Sequence, residues 1–492
     1  MDRLSPATLG SIPDSILKPR YDRNRLHTGI VHLGIGAFHR AHQAYYTEAL
    51  LNQCNDDDLQ WGIVGCSLRS KQVPEQMHPQ MGLYTLVENS DAGSRYQVVG
   101  CVQDAIAASD QSQEIIALLS NPDVKIVSLT ITEKGYCHDP ATGALNTQHP
   151  DIIHDFNNPA KPRTALGYIM KALQNRQREG APGFTLLSCD NLPSNGRVLK
   201  NVIFDFIEAI QSALIPWVEQ SVSFPCTMID RIVPATTEED KRQAETILGV
   251  RDEALVCTEA FSQWVIEDDF LYGRPNWEAV GATFVEDVDA FEVIKLRLLN
   301  GAHSLIAYTG YLSGFKTIAE VMKEPAFTCL AREFLDKEVT SSVDVPEGFD
   351  IKAYKNQLIE RFSNPALQHR TWQIAMDGSQ KIPQRWLATL RYQVANSGET
   401  TLLSLGLAAW IRYVTGKDDA GNTIDVSDPW AERLREIALS TNSESDLVDK
   451  ILSIKEIFST DLCQNHHLKH QITEYLRAFS QQGVGATIRS LY

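Results

Sequence analysis

Three polar side chains in a largely apolar stretch, Lys295, Asn300 and His303, have the types and spacing that proton-transfer chemistry requires. On an α-helix, Asn300 lies about 140° and His303 about 80° from Lys295, so the three share one side. Burial there would lower the pKa of a lysine from about 10.4 toward about 7 to 8, where an amine can both take and return a proton. The spacing therefore predicts Lys295 as an acid/base group.

The chemistry that this trio favours is oxidation of a secondary alcohol. The hydroxyl proton must reach a base as hydride leaves, and hydrogen-bond donors must already face the developing alkoxide. Asn300 could supply one donor, and Asn191 another, because Asn191 follows a predicted strand at the edge where α/β sheets bind ligands. The alternative is structural: a helix-end cap for Asn191 and a hydrogen-bonded core group for Asn300 or His303.

A glycine turn follows the first predicted strand and leads into a predicted helix over residues 41–51. It reads Gly34-Ile35-Gly36-Ala37-Phe38-His39-Arg40. Gly34 permits a tight turn and Gly36 lets the backbone approach a pyrophosphate, although His39 replaces the third glycine of the dinucleotide pattern. The order of strand, turn and helix predicts a dinucleotide site over residues 34–40, with a purely structural turn as the alternative.

The residues after the second predicted strand bear on the choice between NAD and NADP. Sites that prefer NAD usually carry an acid there, which binds the ribose 2′-hydroxyl. This chain has Arg69 and Lys71 instead, which could meet a 2′-phosphate or simply face solvent. The sequence at this position leaves the choice of cofactor open.

Short β-branched runs alternate with helical stretches up to about residue 280, and helical periodicity follows, broken by a loop over residues 340–350. This pattern predicts an α/β fold in which a Rossmann-type doubly wound sheet domain, residues 1–285, precedes a mostly α-helical domain, residues 286–492. We expect strands over residues 29–33, 62–66, 96–102, 125–131 and 184–189.

Composition excludes several classes of protein. The 492 residues include 62 acidic and 45 basic ones, a net charge of −17 that disfavours nucleic acid as a partner. The longest clean apolar run, residues 401–411, is too short to cross a bilayer, and the first residues lack the apolar core of a signal peptide. With nine cysteines scattered singly, a reducing cytoplasm is the expected compartment.

No Cys/His set has the spacing of a zinc alcohol dehydrogenase, so we expect metal-independent chemistry. His466, His467 and His470 have helical spacing that suits a metal, but their polar surroundings favour a solvated helix start. The Tyr-x-x-x-Lys pattern of short-chain dehydrogenases occurs at Tyr413 and Lys417, where Gly416 interrupts it, and we regard it as incidental.

Several of these segments together resemble the mannitol dehydrogenase family of polyol-specific long-chain dehydrogenases, and the likeness covers nearly the whole chain. The segments are residues 34–43 (GIGAFHRAHQ), 128–137 (SLTITEKGYC), 188–191 (SCDN), 230–234 (DRIVP) and 295–303 (KLRLLNGAH). The resemblance implies roles that agree with the chemistry above: Lys295 as general base, Asn191 and Asn300 on the substrate oxygen, and His303 positioning the substrate.

The resemblance alone implies further assignments. Asp230 and Lys381 would contact substrate, and Glu292 would gate water on the proton path to the lysine. Glu133 would join Arg69, the cation after the second strand, in the cofactor site. NAD is the usual cofactor of the family, and NADP remains possible here because the acidic pair after the second strand is replaced.

Within the family, residues 361–365 and 369–381 resemble the members that act on sugar acids. Polyol-specific members carry an arginine where this chain has Gln373, while Arg370, Lys381 and Arg385 could pair a carboxylate. Arg370 and Arg385 could instead form structural ion pairs.

We expect hydride transfer between NAD(H) and D-mannonate or D-fructuronate, by a monomer or weak homo-oligomer whose only partner is a small molecule. The alternatives are interconversion of mannitol and fructose, reduction of another hexuronate such as tagaturonate, and a non-catalytic protein that senses a dinucleotide.

Overall fold

The computed structural model describes residues 1–90, 93–139, 142–367 and 369–492, and the chain divides into two compact units. The first unit comprises Met1–Asp289 and the second Ala290–Tyr492. The boundary predicted from the sequence falls after residue 285. Each unit has its own core and its own kind of secondary structure, as described below.

A parallel sheet in the order β5-β2-β1-β6-β7 forms the centre of the first unit. This order reverses between β1 and β6, which is the topology of a doubly wound Rossmann-type sheet. The predicted fold class is thus confirmed. The strands of the sheet are β1 (Thr28–Leu33), β2 (Gly62–Ser67), β5 (Val102–Ala107), β6 (Ile126–Leu129) and β7 (Thr185–Ser188).

Both faces of this sheet are buried. Successive side chains of a strand point to opposite sides, so each strand contributes to an apolar cluster on each face. Val31 and Leu33 of β1 enter one apolar cluster, whereas Ile30 enters the other. His32, also on β1, is fully buried and bonds through its two ring nitrogens to the hydroxyls of Ser128 and Thr130, each at 2.8 Å. This bonding ties the ends of β1 and β6 together.

The prediction of one continuous strand over residues 96–102 was wrong. The chain there forms the end of one strand, a break, and the start of another. The break occurs because the backbone N–H groups of Gly100 and Cys101 both donate to the buried Glu48 carboxylate at 2.8 Å, instead of joining a ladder. The strand before the break belongs to a separate sheet.

Two smaller sheets complete the strands of the first unit, in the orders β4-β3-β9 and β11-β10-β8. Their strands are β3 (Tyr84–Ser90), β4 (Gly93–Val99), β8 (Thr227–Asp230), β9 (Val256–Glu259), β10 (Gln263–Glu267) and β11 (Thr283–Val285). The helices of this unit are α1 (Ala37–Ala41), α2 (Gln43–Leu51), α3 (Gln72–Met77), α4 (Ala108–Ser120), α5 (Pro150–Asn157), α6 (Ala165–Glu179), α7 (Asn195–Gln211), α8 (Ile215–Ser221) and α9 (Glu238–Leu248).

The helix expected over residues 41–51 begins earlier and is interrupted. It starts at Ala37, directly after the glycine turn, and His42 has non-helical backbone angles that separate α1 from α2. The helix that follows the turn was therefore predicted correctly, but its start was not.

The second unit is helical, as predicted. α11 (Gly301–Leu312) and α18 (Thr401–Val414) are almost wholly buried and form its centre. The other α-helices are α10 (Asp289–Ile294), α12 (Ile318–Met322), α13 (Pro325–Glu333), α14 (Ile351–Ser363), α15 (Thr371–Ala375), α16 (Gly378–Ile382), α17 (Ala388–Ala395), α19 (Ala431–Leu439), α20 (Glu444–Leu452), α21 (Thr460–Cys463), α22 (His466–Gln482) and α23 (Val484–Arg489).

Three segments of this unit are π-helical: Lys295–Asn300, Phe334–Val339 and Pro383–Leu387. The first replaces the α-helix that we expected between Lys295 and Asn300, and that expectation was wrong. In a π-helix the hydrogen bonds span one residue more than in an α-helix, a feature that often marks functional sites. Among the described residues, no helix is both long enough and apolar enough to cross a membrane.

Candidate active site

The glycine turn at the end of β1 has the geometry that a dinucleotide site needs. Gly34 has φ +101°, and a Cβ there would collide with the Thr130 carbonyl oxygen, so only glycine fits. At Gly36 a Cβ would find its nearest neighbour, the Gly34 carbonyl oxygen, at 3.8 Å. The backbone at Gly36 is therefore open to a ligand.

A cavity of about 280 Å³ lies over this turn. Its walls come from the carboxyl ends of three neighbouring parallel strands, at the point where the strand order reverses, which is where open α/β sheets bind nucleotides. The main wall residues are Gly34–Gly36 after β1, Ser67–Ser70 after β2, and Thr130–Thr132 after β6. These features fit a dinucleotide cofactor.

The rest of the predicted cofactor motif lies outside the described cavity wall. His39 is buried with its ring stacked on His32, centroids 3.5 Å apart, and the Arg40 guanidinium donates to the carbonyl oxygens of Gly36 and Ala254. Ala37 and Phe38 are half-buried, and the Phe38 ring stacks on His42. None of these four residues lines the described cavity, and Arg40 supports the turn through its bond to Gly36.

The cations after β2 occupy two different environments. Arg69 belongs to the cavity wall, whereas Lys71 pairs with Asp110 at 2.7 Å on the surface. Two further charges that the sequence did not suggest, Asp151 and Arg163, also line the cavity. They come from the region before α6, which no local pattern connects with β2.

The predicted site residues of the first unit follow strand ends. Asn191 is exposed just after β7, Asp230 is the buried last residue of β8, and Glu133 is exposed immediately after the wall residue Thr132. Asn191 and Glu133 therefore occupy the edge of the parallel sheet that carries ligand sites in α/β proteins, whereas Asp230 ends a strand of the separate sheet β11-β10-β8.

In the second unit the helical stretch around Lys295 carries the acid/base candidates. Lys295 and His303 are buried, 9% and 8% exposed, and Asn300 is half-buried. The Arg385 guanidinium donates to the Asn300 carbonyl oxygen at 3.3 Å and to the Ser304 hydroxyl at 2.8 Å, so it fixes the junction between the π-helix and α11. Glu292 is half-buried on α10.

His303 lies in a strongly cationic environment. Its ring lies 5.5 Å from the ring of His369 and 5.1 Å from that of Phe362. Its pKa is held well below the usual range by burial first, then by repulsion from the protonated form of His369, and then by the positive charges of Arg385, Arg361 and Lys381. Burial, followed by the charge of Arg361, also lowers the pKa of His369 to about 4. Both imidazoles are therefore neutral near pH 7, beside cations that favour an anionic ligand.

The sequence did not single out two members of this environment, Arg361 and His369. Arg370 is exposed, and it is not among the charges that lower the pKa of His303. Gln373 is exposed and Lys381 half-buried, with the Lys381 amine 3.5 Å from the Ile374 carbonyl oxygen. The proximity of Arg361 to His303 depends on the packing of α14 on α11, seen in the contact of the Phe362 and His303 rings, which no sequence motif encodes.

The described residues contain no group of three His, Cys, Asp or Glu side chains that could hold a metal ion.

Comparison with known proteins decides the family. The model of the mannitol dehydrogenase Rossmann domain matches residues 28–279, and that of the mannitol dehydrogenase C-terminal domain matches residues 287–480. The chain belongs to the mannitol dehydrogenase family. It is therefore an oxidoreductase of the class that acts on secondary alcohols.

Relatives within the family differ in substrate. The chain is 46% identical to an uncharacterized oxidoreductase, YeiQ, and 43% identical to D-mannonate oxidoreductase, both of Escherichia coli strain K12, over 96% or more of each chain. The structure of Pseudomonas fluorescens mannitol 2-dehydrogenase, a ternary complex with NAD and D-mannitol, superimposes with a TM-score of 0.86 at 36% identity and covers 99% of both chains. Family membership thus leaves the choice between a sugar acid and a polyol unresolved.

Proposed function

We propose that this protein transfers hydride between NAD(H) and a sugar acid, interconverting D-mannonate and D-fructuronate. The observation that carries the proposal is the buried cationic environment of His303, formed by Arg361, Lys381 and Arg385. A charge-assisted contact to a carboxylate is worth about 1.5 to 3 kcal/mol, compared with about 0.5 to 1.5 kcal/mol for a hydrogen bond between uncharged groups. The 43% identity to D-mannonate oxidoreductase supports the same substrate.

In the proposed mechanism Lys295 takes the hydroxyl proton of the substrate during oxidation and returns it during reduction. An amine shielded from water gives up its proton more readily than an exposed one, as this role requires. The side-chain amides of Asn191 and Asn300 donate to the substrate oxygen, and the neutral His303 imidazole orients the neighbouring hydroxyl. Asp230 and Lys381 contact the substrate, and Glu292 controls water on the proton path.

The cavity over the glycine turn is the proposed site of the dinucleotide, whose nicotinamide ring accepts or supplies the hydride. Gly34 and Gly36 would leave room for the pyrophosphate, and Arg69 is the wall residue that would be available to the adenosine ribose. The relative that binds NAD supports NAD as cofactor, with NADP as a second possibility because of Arg69.

Oxidation of D-mannitol to D-fructose is the alternative, supported by the similarity to the structure that contains D-mannitol. Gln373, at the place of the polyol-binding arginine, weighs against it. A cytoplasmic location and a monomeric or weakly oligomeric state also stay predictions.

Initial rates with fructuronate, tagaturonate and fructose, each with NADH and NADPH, test the proposal. We expect a kcat/KM for fructuronate with NADH at least tenfold above that for the other two ketones. A higher value with fructose would replace the proposal by mannitol dehydrogenase activity, and no turnover with any ketone, despite cofactor binding, would indicate a sensor.

A further inference from the structure

A buried carboxylate, Asp190, supports one wall of the cavity over the glycine turn. It follows β7 and accepts hydrogen bonds from the backbone N–H groups of Ile131 at 3.0 Å and Thr132 at 2.9 Å. The Tyr136 hydroxyl donates to the same carboxylate at 2.8 Å and lies 2.5 Å from the Ser188 hydroxyl. Asp190 is 8% exposed and Tyr136 is fully buried, so the bond between them is shielded from water, whereas the bonds to the two backbone N–H groups are part-buried.

The backbone that Asp190 binds has an unfavourable conformation. Thr132 has φ +63° and ψ 162°, a region that essentially only glycine adopts without strain. A β-branched residue remains there only if its surroundings hold it. Two N–H groups bound by one carboxylate provide such a constraint. Ile131 and Thr132 both line the cavity, so the shape of its wall depends on this constraint.

The same residue is also fixed on its other side. The Asn195 side-chain amide donates to the Asp190 carbonyl oxygen at 3.0 Å and to the Thr227 carbonyl oxygen at 2.9 Å. Asn191, the proposed donor to the substrate oxygen, is the next residue along the chain. Asp190 thus connects the wall of the cavity with the segment that carries Asn191.

We propose that Asp190 is a positioning residue, which holds the strained turn at Thr132 and so shapes the cofactor cavity. The inference rests on the proposed function in that it takes this cavity as the NAD(H) site. Asparagine at position 190 offers one acceptor oxygen, and its N–H₂ group faces a backbone N–H, so one of the two bonds to the turn is lost. The turn then relaxes from its strained conformation and the cavity wall moves.

The test compares Asp190→Asn with a matched control, Glu48→Gln. Glu48 is also buried and also accepts from two consecutive backbone N–H groups, Gly100 and Cys101, and from the Tyr21 hydroxyl, but it lies outside the cavity wall. We expect Asp190→Asn to weaken NADH binding at least tenfold in a fluorescence titration. Glu48→Gln should lower Tm but change the NADH Kd less than twofold.

A second substitution separates positioning from general destabilisation. Glycine adopts the backbone angles of Thr132 without strain, so adding Thr132→Gly to Asp190→Asn should restore most of the lost NADH affinity. The proposal is overturned by an NADH affinity that Asp190→Asn leaves unchanged. It is also overturned by an NADH affinity that the double variant does not restore.

Hydrogen exchange of the peptide covering residues 130–137 provides a readout that needs no cofactor. In Asp190→Asn the amides of Ile131 and Thr132 should exchange at least tenfold faster, with no change there in Glu48→Gln. Unchanged exchange rates contradict the proposal. If the wild-type protein binds neither NADH nor NADPH while exchange responds as expected, the proposed function fails and the positioning role stands.

Discussion

The imidazole rings of His303 and His369 lie nearly parallel, at an interplanar angle of 21° and with their centroids 5.5 Å apart. Both rings are neutral near pH 7, because burial and neighbouring positive charges lower the pKa of both. The positive charge of this region therefore belongs to Arg361, Lys381 and Arg385. Our expectations about substrate choice follow from that distribution.

Lys381→Met should raise the KM for fructuronate about 10- to 100-fold, because it removes one charge-assisted contact to the carboxylate. The KM for fructose, which has no carboxylate, should rise less than threefold. Steady-state kinetics with both ketones provides the measurement. Arg370→Ala tests our sequence-based assignment of that exposed arginine in the same way. Equal increases for both ketones in both variants would remove the argument for a sugar acid.

Lys295→Ala should lower kcat at least 100-fold at neutral pH, in line with the loss of general acid/base catalysis. NADH affinity, measured by titration, should stay within about twofold of the wild-type value. Lys337, an exposed lysine that pairs with Glu333 at 2.9 Å, provides the control, and Lys337→Ala should keep normal turnover. A near-normal kcat in Lys295→Ala would refute the catalytic assignment.

Arg69→Ala should raise the KM for NADPH at least tenfold and that for NADH less than threefold, since only NADPH carries a 2′-phosphate next to this side chain. Lys71→Ala should change neither constant, because Lys71 is engaged with Asp110 on the surface. Kinetics with the two cofactors at a saturating ketone concentration decides the point. Equal increases in the KM for NADPH and for NADH in Arg69→Ala would show that Arg69 does not contact the 2′-phosphate.

The contribution of Glu338 to the free energy of unfolding should fall as pH rises from about 5 to 8. This fully buried carboxyl accepts the N–H groups of Leu402 and Leu403, and burial raises its pKa from 4.5 to about 7. The folded chain therefore binds more protons than the unfolded chain between these values. The contribution of Glu338 is greatest below about pH 4.5 and is lost as pH rises through 7.

Urea unfolding of wild-type protein and Glu338→Gln at pH 5 and pH 8 measures this effect. The wild-type protein should lose about 1 to 3 kcal/mol relative to the variant between the two pH values. The exposed Glu347 serves as control, and Glu347→Gln should follow the wild type. Parallel pH dependence in wild type and Glu338→Gln would contradict the assignment.

Local signals in the sequence predicted the parts of the site that depend on neighbouring residues. The glycine turn after β1, the strands β1, β2, β6 and β7, and the helical second unit all followed from periodicity and turn chemistry. Family resemblance was confirmed by the matches to both domain models.

The features that the sequence did not reveal depend on contacts between distant segments. The break at Gly100 and Cys101 is made by Glu48, and the strained turn at Thr132 is held by Asp190. Neither acceptor differs in type from an ordinary surface acid, so composition and spacing alone cannot identify it. Asp190 was nonetheless visible as the neighbour of Asn191, and a carboxylate next to a proposed catalytic amide is a signal that could have been followed.

The π-helical segment Lys295–Asn300 makes this stretch tolerant of a change in length that a regular α-helix would not accept. Its wider turn accommodates one residue more than an α-helical turn, so deleting a single apolar residue such as Leu296 would return the stretch to α-helix with little rotation of its two ends. The lysine before the deletion and the asparagine and histidine after it would still face one side, whereas the same deletion within the regular helix α11 would rotate its two ends by about 100° relative to one another.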